Sequence, residues 1–254
     1  MKQKYWVPAL ERANLIIELI ANHPSKLRLI DLSKKLDINK SSMYSLLNTL
    51  ETIGWIKKDK QDFYTLGPVL GSYSSAYFSQ YDILETFSLE ARNSINIVDE
   101  HIQLGTLVGK ETFYLAREDG SSPARLVTDP GMKFPAYASA IGKINLSQLN
   151  YEELVELYPE KVFEKKTENT VETVDELWEQ LVKAKKDGFI TEEQEGAIGF
   201  CCVAAPIYNQ ENQITAGVSF TMLENSWKEK REMATEEIMK LAKKLSTNQS
   251  FVNK

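Results

Sequence analysis

Between residues 8 and 66 the apolar residues recur three times at helical spacing and then twice at the spacing of short strands. Few small folds accept that order. Leu10, Ala13, Ile17 and Ile20 make the first stripe, widened by Ile16. Pro8 suits a first helical turn, and the run Asn22-His23-Pro24-Ser25 stops the helix. Residues 29–36 read as a second helix, with Leu32 and Leu36 one turn apart. After the turn Asp37-Ile38-Asn39 a third helix is expected over residues 40–53. Its apolar face is Met43, Leu46, Leu47, Leu50 and Ile53, and Gly54 stands where a C-terminal glycine cap belongs. Residues 55–57 and 63–66 are strand-like and are joined by the polar turn 58–62.

The opposite face of the third helix carries Lys40, Ser41, Ser42, Tyr44, Ser45, Asn48 and Thr52. Helix, short turn, helix with a polar second face, then a hairpin, is the layout of a winged helix-turn-helix. Short donors and acceptors of this kind meet phosphates and base edges in a major groove. Lys57, Lys58 and Lys60 place charge on the hairpin, partly offset by Asp59 and Asp62. Residues 1–66 hold 11 Lys+Arg against 7 Asp+Glu, whereas the whole chain has a net charge of −6. A basic end on an acidic body suits a polyanion-binding module joined to a part with another task. A merely solvated face on a small helical domain is the competing reading.

Gly67-Pro68 ends the hairpin. Leu70, Tyr73 and Tyr77 then stand at helical spacing, and a second stripe runs through Leu84, Phe87, Ala91, Ile95 and Val98. Two helices are expected, a linker over 67–81 and the first helix of a domain over 82–254. The aromatics Tyr73, Tyr77, Phe78 and Tyr81 either pack on their own domain or pair with a second copy. From His101 the period changes. Strands are expected over 101–108, 112–116, 126–128, 200–208 and 214–222. Helices are expected from about residue 136 to 149, over 150–158, from the capping sequence Thr173-Val174-Asp175-Glu176 to Gly188, and over 227–245. The segment Asp129-Pro130-Gly131-Met132-Lys133-Phe134-Pro135 reads as a loop. This is an α+β body on a mostly antiparallel sheet.

Several functions are disfavoured. With two histidines and two adjacent cysteines, a metal site or disulfide framework is not expected. No apolar run approaches a membrane span, and the first 20 residues lack the pattern of a secretory signal, so a cytoplasmic location is expected. Gly142-Lys143 lacks the glycine and hydroxyl positions of a phosphate-binding loop. Ser139 and Lys143 are four apart rather than three, and no histidine is near, so no catalytic residues are assigned. Cys201 and Cys202 lie in an apolar strand, either as buried small side chains or as a redox sensor.

The sequence resembles the IclR family of transcription regulators over nearly its whole length. The carrying residues in the first part are Glu11-Arg12-Ala13 and the run from Lys40 to Glu51 with Gly54. In the second part they are Gly131 with the run Pro135 to Lys143, and Gly188 to Glu195 followed by Gly199 to Pro206. The resemblance implies a winged helix-turn-helix, a linker helix and a GAF-like effector-binding domain with an antiparallel sheet and flanking helices. It departs at Ser45, where the family often has arginine, and at Tyr137, where it often has histidine. A buttressing role for the loop is expected of Tyr137.

The family's effector pocket lies between the sheet and the loop and helix after the third strand. By resemblance its lining here is Ala140, Ile141, Glu192, Cys202, Ser219 and Thr221, with Met132 and Phe134 closing the lid. Family members bind small organic acids or aromatic metabolites there. A glutamate where acid-binding relatives carry aspartate suits a smaller, or a hydroxyl- or amine-bearing, ligand. Ser219 and Thr221, two apart on a strand, share one face, which is either the pocket or solvent. The expected partners are double-stranded operator DNA, a small-molecule effector and further copies of the chain as dimer or tetramer, with no cofactor. A regulator switched by oxidation of Cys202, and an enzyme with a vestigial DNA-binding domain, are the alternatives.

Overall fold

The computed structural model describes residues 6–78, 83–126 and 128–247 and divides the chain into two compact units, Met1–Gln80 and Tyr81–Lys254. In the first unit, α1 (Pro8–Asn22), α2 (Leu29–Lys35) and α3 (Lys40–Thr52) precede the hairpin β1 (Ile56–Lys58) and β2 (Tyr64–Leu66). Ile16, Ile20, Leu32, Met43, Leu47 and Ile56 are fully buried between them, so most of each predicted stripe faces one core, whereas Leu10 and Ile53, at the outer ends of two stripes, are exposed. Asn39 caps α3 by accepting from the Ser42 N–H at 2.9 Å. At its other end Gly54 adopts φ +77, with Gly54 N–H donating to Glu51 O and Trp55 N–H to Leu50 O. That pair of bonds is a Schellman stop, and it turns the chain directly into the hairpin. The helix α4 (Pro68–Phe78) closes this unit, with Tyr73 edge-on to Trp55 at 6.3 Å.

The second unit starts with α5 (Ile83–Val98), followed by β3 (His101–Val108), β4 (Glu111–Glu118) and β5 (Lys133–Pro135). Then come α6 (Ala140–Leu146), α7 (Tyr151–Leu157), α8 (Val174–Asp187), β6 (Ile190–Glu193), β7 (Phe200–Tyr208), β8 (Ile214–Leu223) and α9 (Glu224–Thr247). The six strands form one antiparallel sheet in the order β5-β4-β3-β8-β7-β6. The helices α5 and α9 pack on one face of the sheet and α6 on the other, with α8 against α6. Gly142 lets α6 sit this close, since a Cβ there would stand 2.3 Å from Ala136 O and 2.5 Å from Thr112 Oγ1. Tyr137 does buttress its loop. It stacks on Phe163 at 4.3 Å, and its hydroxyl donates to Glu164 O.

Four expectations are corrected. Leu126 and Thr128 are not in a strand, and residue 127 lies outside the described residues; Thr128 N–H donates to Leu126 O instead of to a ladder partner. Residues Ala136–Ala138 form a 3-10 turn, and α6 starts only after Ser139, whose hydroxyl accepts from Gly142 N–H. That helix ends at Leu146, not near Leu149. The strands β5 and β6 were not foreseen, and the segment holding Phe134 is therefore a sheet edge rather than a loop.

Candidate functional site

The first unit offers an exposed polar helix face. Lys40, Ser41, Tyr44, Ser45 and Asn48 are exposed and Ser42 is half-buried. Some of these hydroxyls already have work. Ser41 Oγ donates to the capping Asn39 Oδ1 at 2.9 Å, and Ser45 Oγ to Ser41 O at 3.1 Å. Asn48 and Tyr44 project further along the same face, Tyr44 with 63% of its surface exposed. On the hairpin Lys57, Lys58 and Lys60 are exposed, and Asp59 Oδ1 shapes the turn by accepting from the N–H groups of Gln61 and Phe63. Lys58 is not a free cation. Asp62 stands 3.3 Å from its ammonium and raises its pKa. Sequence reasoning missed Arg28, an exposed residue at the start of α2 whose guanidinium lies 4.4 Å from the centre of the Phe63 ring in the wing. Its signal was only a cation before an apolar stripe, and the stacking partner is 35 residues away.

The second unit holds a partly open cavity of about 180 Å³ between the sheet and the start of α6. Of the residues predicted together, Phe134, Ala140, Ile141, Glu192, Cys202, Ser219 and Thr221 line it. Met132 does not, and its side chain is 39% exposed. The strand register explains the gathering. Cys202 faces Thr221 across β7 and β8, Glu192 faces Cys202 across β6 and β7, and Ser219 faces Gln103 across β8 and β3. Residues directly opposite in a ladder project to the same face.

Gln103, Tyr114, Leu126, Thr128, Ala138, Ser139, Gly196 and Ala197 also line the cavity and were not predicted. The Gln103 amide oxygen accepts from Thr221 Oγ at 2.8 Å and from Ser219 Oγ at 3.3 Å. Its amide nitrogen and the Thr128 hydroxyl are buried with no partner among the described residues. Ser139 Oγ pairs with Thr112 Oγ at 2.7 Å. On the far side, one Glu192 oxygen accepts from the N–H groups of Glu195 and Gly196. Burial nevertheless pushes the Glu192 carboxyl up to about 7, because those two bonds and the Lys143 ammonium only partly offset desolvation. Lys143 is fully buried beneath this side, bonded to Glu195 and, at 2.7 Å, to Gln180. Burial lowers its pKa and the Glu195 carboxylate opposes that shift.

Burial and the nearby Glu192 carboxyl push the Cys202 thiol well above its ordinary value. Redox-sensing cysteines are exposed thiolates of low pKa, so the geometry gives the oxidation alternative no support. Among the described residues no cluster of His, Cys, Asp or Glu is suited to a metal ion, and no helix is long and apolar enough to cross a membrane.

Comparison with known proteins matches both units. Residues 9–60 match the family described as the IclR helix-turn-helix domain, and residues 75–247 the one described as the bacterial transcriptional regulator IclR C-terminal. The transcriptional regulator XynR of Escherichia coli is 27% identical over 218 residues, covering 85% of this chain and 86% of that protein. The Thermotoga maritima IclR crystal structure superposes with a TM-score of 0.78 at 25% identity, covering 96% of this chain and 99% of that one. An IclR homologue from Microbacterium hydrocarbonoxydans, crystallised with 4-hydroxybenzoate, gives a TM-score of 0.80 at 18% identity and covers 95% and 98%.

Proposed function

Because the chain belongs to the IclR family of bacterial transcriptional regulators, DNA-binding proteins controlled by small molecules, we propose that it reads an operator through α3 and the wing and senses its effector in the cavity on the sheet. On the DNA side, Lys40, Ser41, Ser42, Tyr44, Ser45 and Asn48 approach the major groove. Lys57, Lys58 and Lys60, with Arg28, lie over the backbone. The absence of arginine at Ser45 shifts base reading toward Asn48, which suits an adenine edge. On the effector side, Phe134, Ala140, Ile141, Glu192, Cys202, Ser219 and Thr221 contact the ligand together with Gln103. The protein works as a homo-oligomer in the cytoplasm and catalyses no reaction.

The observation that carries this reading is the cavity itself. Well-packed domains hold few voids larger than a water molecule. Here about 180 Å³ lies among buried polar side chains drawn from β3, β6 and β8. That volume is below the range of drug-sized sites and suits a small metabolite. The mechanism is a shift between two arrangements of the DNA-binding units, one of which the ligand prefers. The test is a thermal-shift screen of small metabolites, followed by titration of a promoter fragment with and without each hit. The reading holds if a hit both stabilises the protein and changes its DNA affinity. It fails if stabilising ligands leave DNA affinity untouched, or if no metabolite stabilises the protein.

A further inference from the structure

Two elements of the first unit meet at one side chain. Ser25 N–H donates to Tyr64 O at 3.2 Å and Tyr64 N–H to Leu27 O at 3.0 Å, so the backbone that enters α2 is tied to β2 of the wing. Arg28 follows directly, and its guanidinium lies over the Phe63 ring, 4.4 Å from the ring centre. The Asp31 carboxylate is turned to the Arg28 backbone, whose N–H donates to Oδ2 at 2.9 Å. Arg28 is exposed, and among the described residues its guanidinium has no carboxylate or carbonyl partner. The wing lysines are of another kind. Asp62 already holds the Lys58 ammonium at 3.3 Å, and Lys57 and Lys60 are exposed point charges on flexible stems.

A guanidinium carries its N–H donors in a planar fork that fits two oxygens of one phosphate at once. A ring against its face restricts that plane and leaves the N–H edges open. The fork is therefore ordered before DNA arrives and loses less freedom on binding than a lysine does. Its place in the unit agrees. In a helix-turn-helix the first helix crosses the nucleic-acid backbone while the second lies in the groove. Here α2 is that first helix, Arg28 stands directly before it, and Phe63 belongs to the wing. We propose that Arg28, stacked on Phe63, clamps one backbone phosphate in each half-site, with Phe63 as its positioning residue. This rests on reading α3 and the wing as the DNA-binding face. It adds which residue fixes the protein's register on the duplex, apart from the base reading at Asn48.

The test uses the full-length protein and two duplexes of equal length, one from the region upstream of its own gene and one scrambled, followed by anisotropy. Arg28→Lys keeps the charge and loses the fork, so it should weaken binding to both duplexes about tenfold. Arg28→Gln should weaken both further and flatten the slope of log K against log salt by about 0.9 for each copy bound. Phe63→Leu should cost several-fold beside the native arginine and nothing more once Arg28→Gln is present. Ethylation interference on the upstream duplex should lose one phosphate per half-site in Arg28→Gln and keep the others, whereas a collapsed wing would lose several. The clamp is overturned if Arg28→Lys binds as tightly as the parent protein, if the losses from Phe63→Leu and Arg28→Gln add, or if the interference pattern is unchanged or loses several phosphates. If the parent protein binds neither duplex, the DNA-binding reading falls and the clamp with it. If the parent binds, Asn48→Ala flattens discrimination and Arg28→Lys changes nothing, the groove reading stands and only the clamp is wrong.

Discussion

At the scale of single residues, the hydroxyls of Ser219 and Thr221 hold the Gln103 amide in one orientation. Thr221→Val keeps the shape and removes the stronger of the two bonds, at 2.8 Å. In the proposed site that hydroxyl also meets the ligand, and leaving a ligand group unpaired there costs about 1–3 kcal/mol. Effector affinity should therefore fall by several-fold to about a hundredfold in calorimetry, and an unchanged affinity would remove Thr221 from the site. Glu192 adds a pH dependence. Its ordinary carboxyl value is 4.5 and in the fold it is about 7, with Lys143 from α6, Cys202 from β7, Tyr114 from β4 and Glu195 all facing it. The folded state thus holds a proton that the unfolded chain has released. Its contribution to stability is full below the lower value and is lost as the pH rises through the upper one. Glu192→Gln retains an oxygen for the N–H groups of Glu195 and Gly196 but cannot ionise. Urea melts from pH 4.5 to 7.5 should show a steeper loss of stability in the parent protein than in Glu192→Gln. Parallel curves would mean that Glu192 titrates normally.

At the scale of elements, α3 and the wing make separable demands on DNA. A base-edge contact carries sequence information and a phosphate contact does not. Asn48→Ala should therefore flatten discrimination between operator and scrambled DNA. Lys58→Ala should weaken both about equally, and only slightly, because Asp62 already holds that ammonium. Anisotropy titrations against the two duplexes measure the difference, and equal losses for both variants would contradict it. The same elements show what a sequence can reveal. The bounds of α3 and β7 are readable to within a residue because long apolar periods and a terminal glycine mark them. The edge strands β5 and β6 have three and four residues, too short for a period, and they include Pro135 and the pair Glu192-Glu193. Proline and charge are common on edges and read as loop in isolation. Leu126 misled in the opposite sense, since its apolar side chain lines a cavity rather than joining a ladder. Ser219 and Thr221 could be placed on one face by their spacing alone. Gln103 joins them only through the register of β3 on β8, 116 residues away from Ser219, and no local pattern records that pairing.

At the scale of the whole molecule, the operator and the effector act on one chain through two units, and their effects are bound by linkage. If the effector changes DNA affinity by some factor, DNA must change effector affinity by the same factor, whichever way regulation runs. Couplings of about 1–3 kcal/mol are usual, which corresponds to roughly 5–150-fold. In the proposed homo-oligomer a second copy would supply the second half-site. Tyr73 is 56% exposed on α4, and Leu10 is 66% exposed on α1, so the DNA-binding unit carries apolar surface suited to a second copy. Phe78 and Tyr81 were counted with it from the sequence, but the side chain of the first and the whole of the second lie outside the described residues. Light scattering of the free protein should give a multiple of 28.9 kDa. Tyr73→Asp should lower that mass, because an ionised carboxylate has no partner in an apolar contact. A dimer making three to five phosphate contacts per half-site should then show a slope of log K against log salt steeper than about −5. The dissociated variant should keep roughly half that slope, since each copy still carries its own wing lysines, and it should lose the effector response along with the paired half-sites. A full slope in a monomeric variant would place the DNA contacts on one copy alone. An intact effector response in that variant would move the switch from the pairing of DNA-binding units into the single chain.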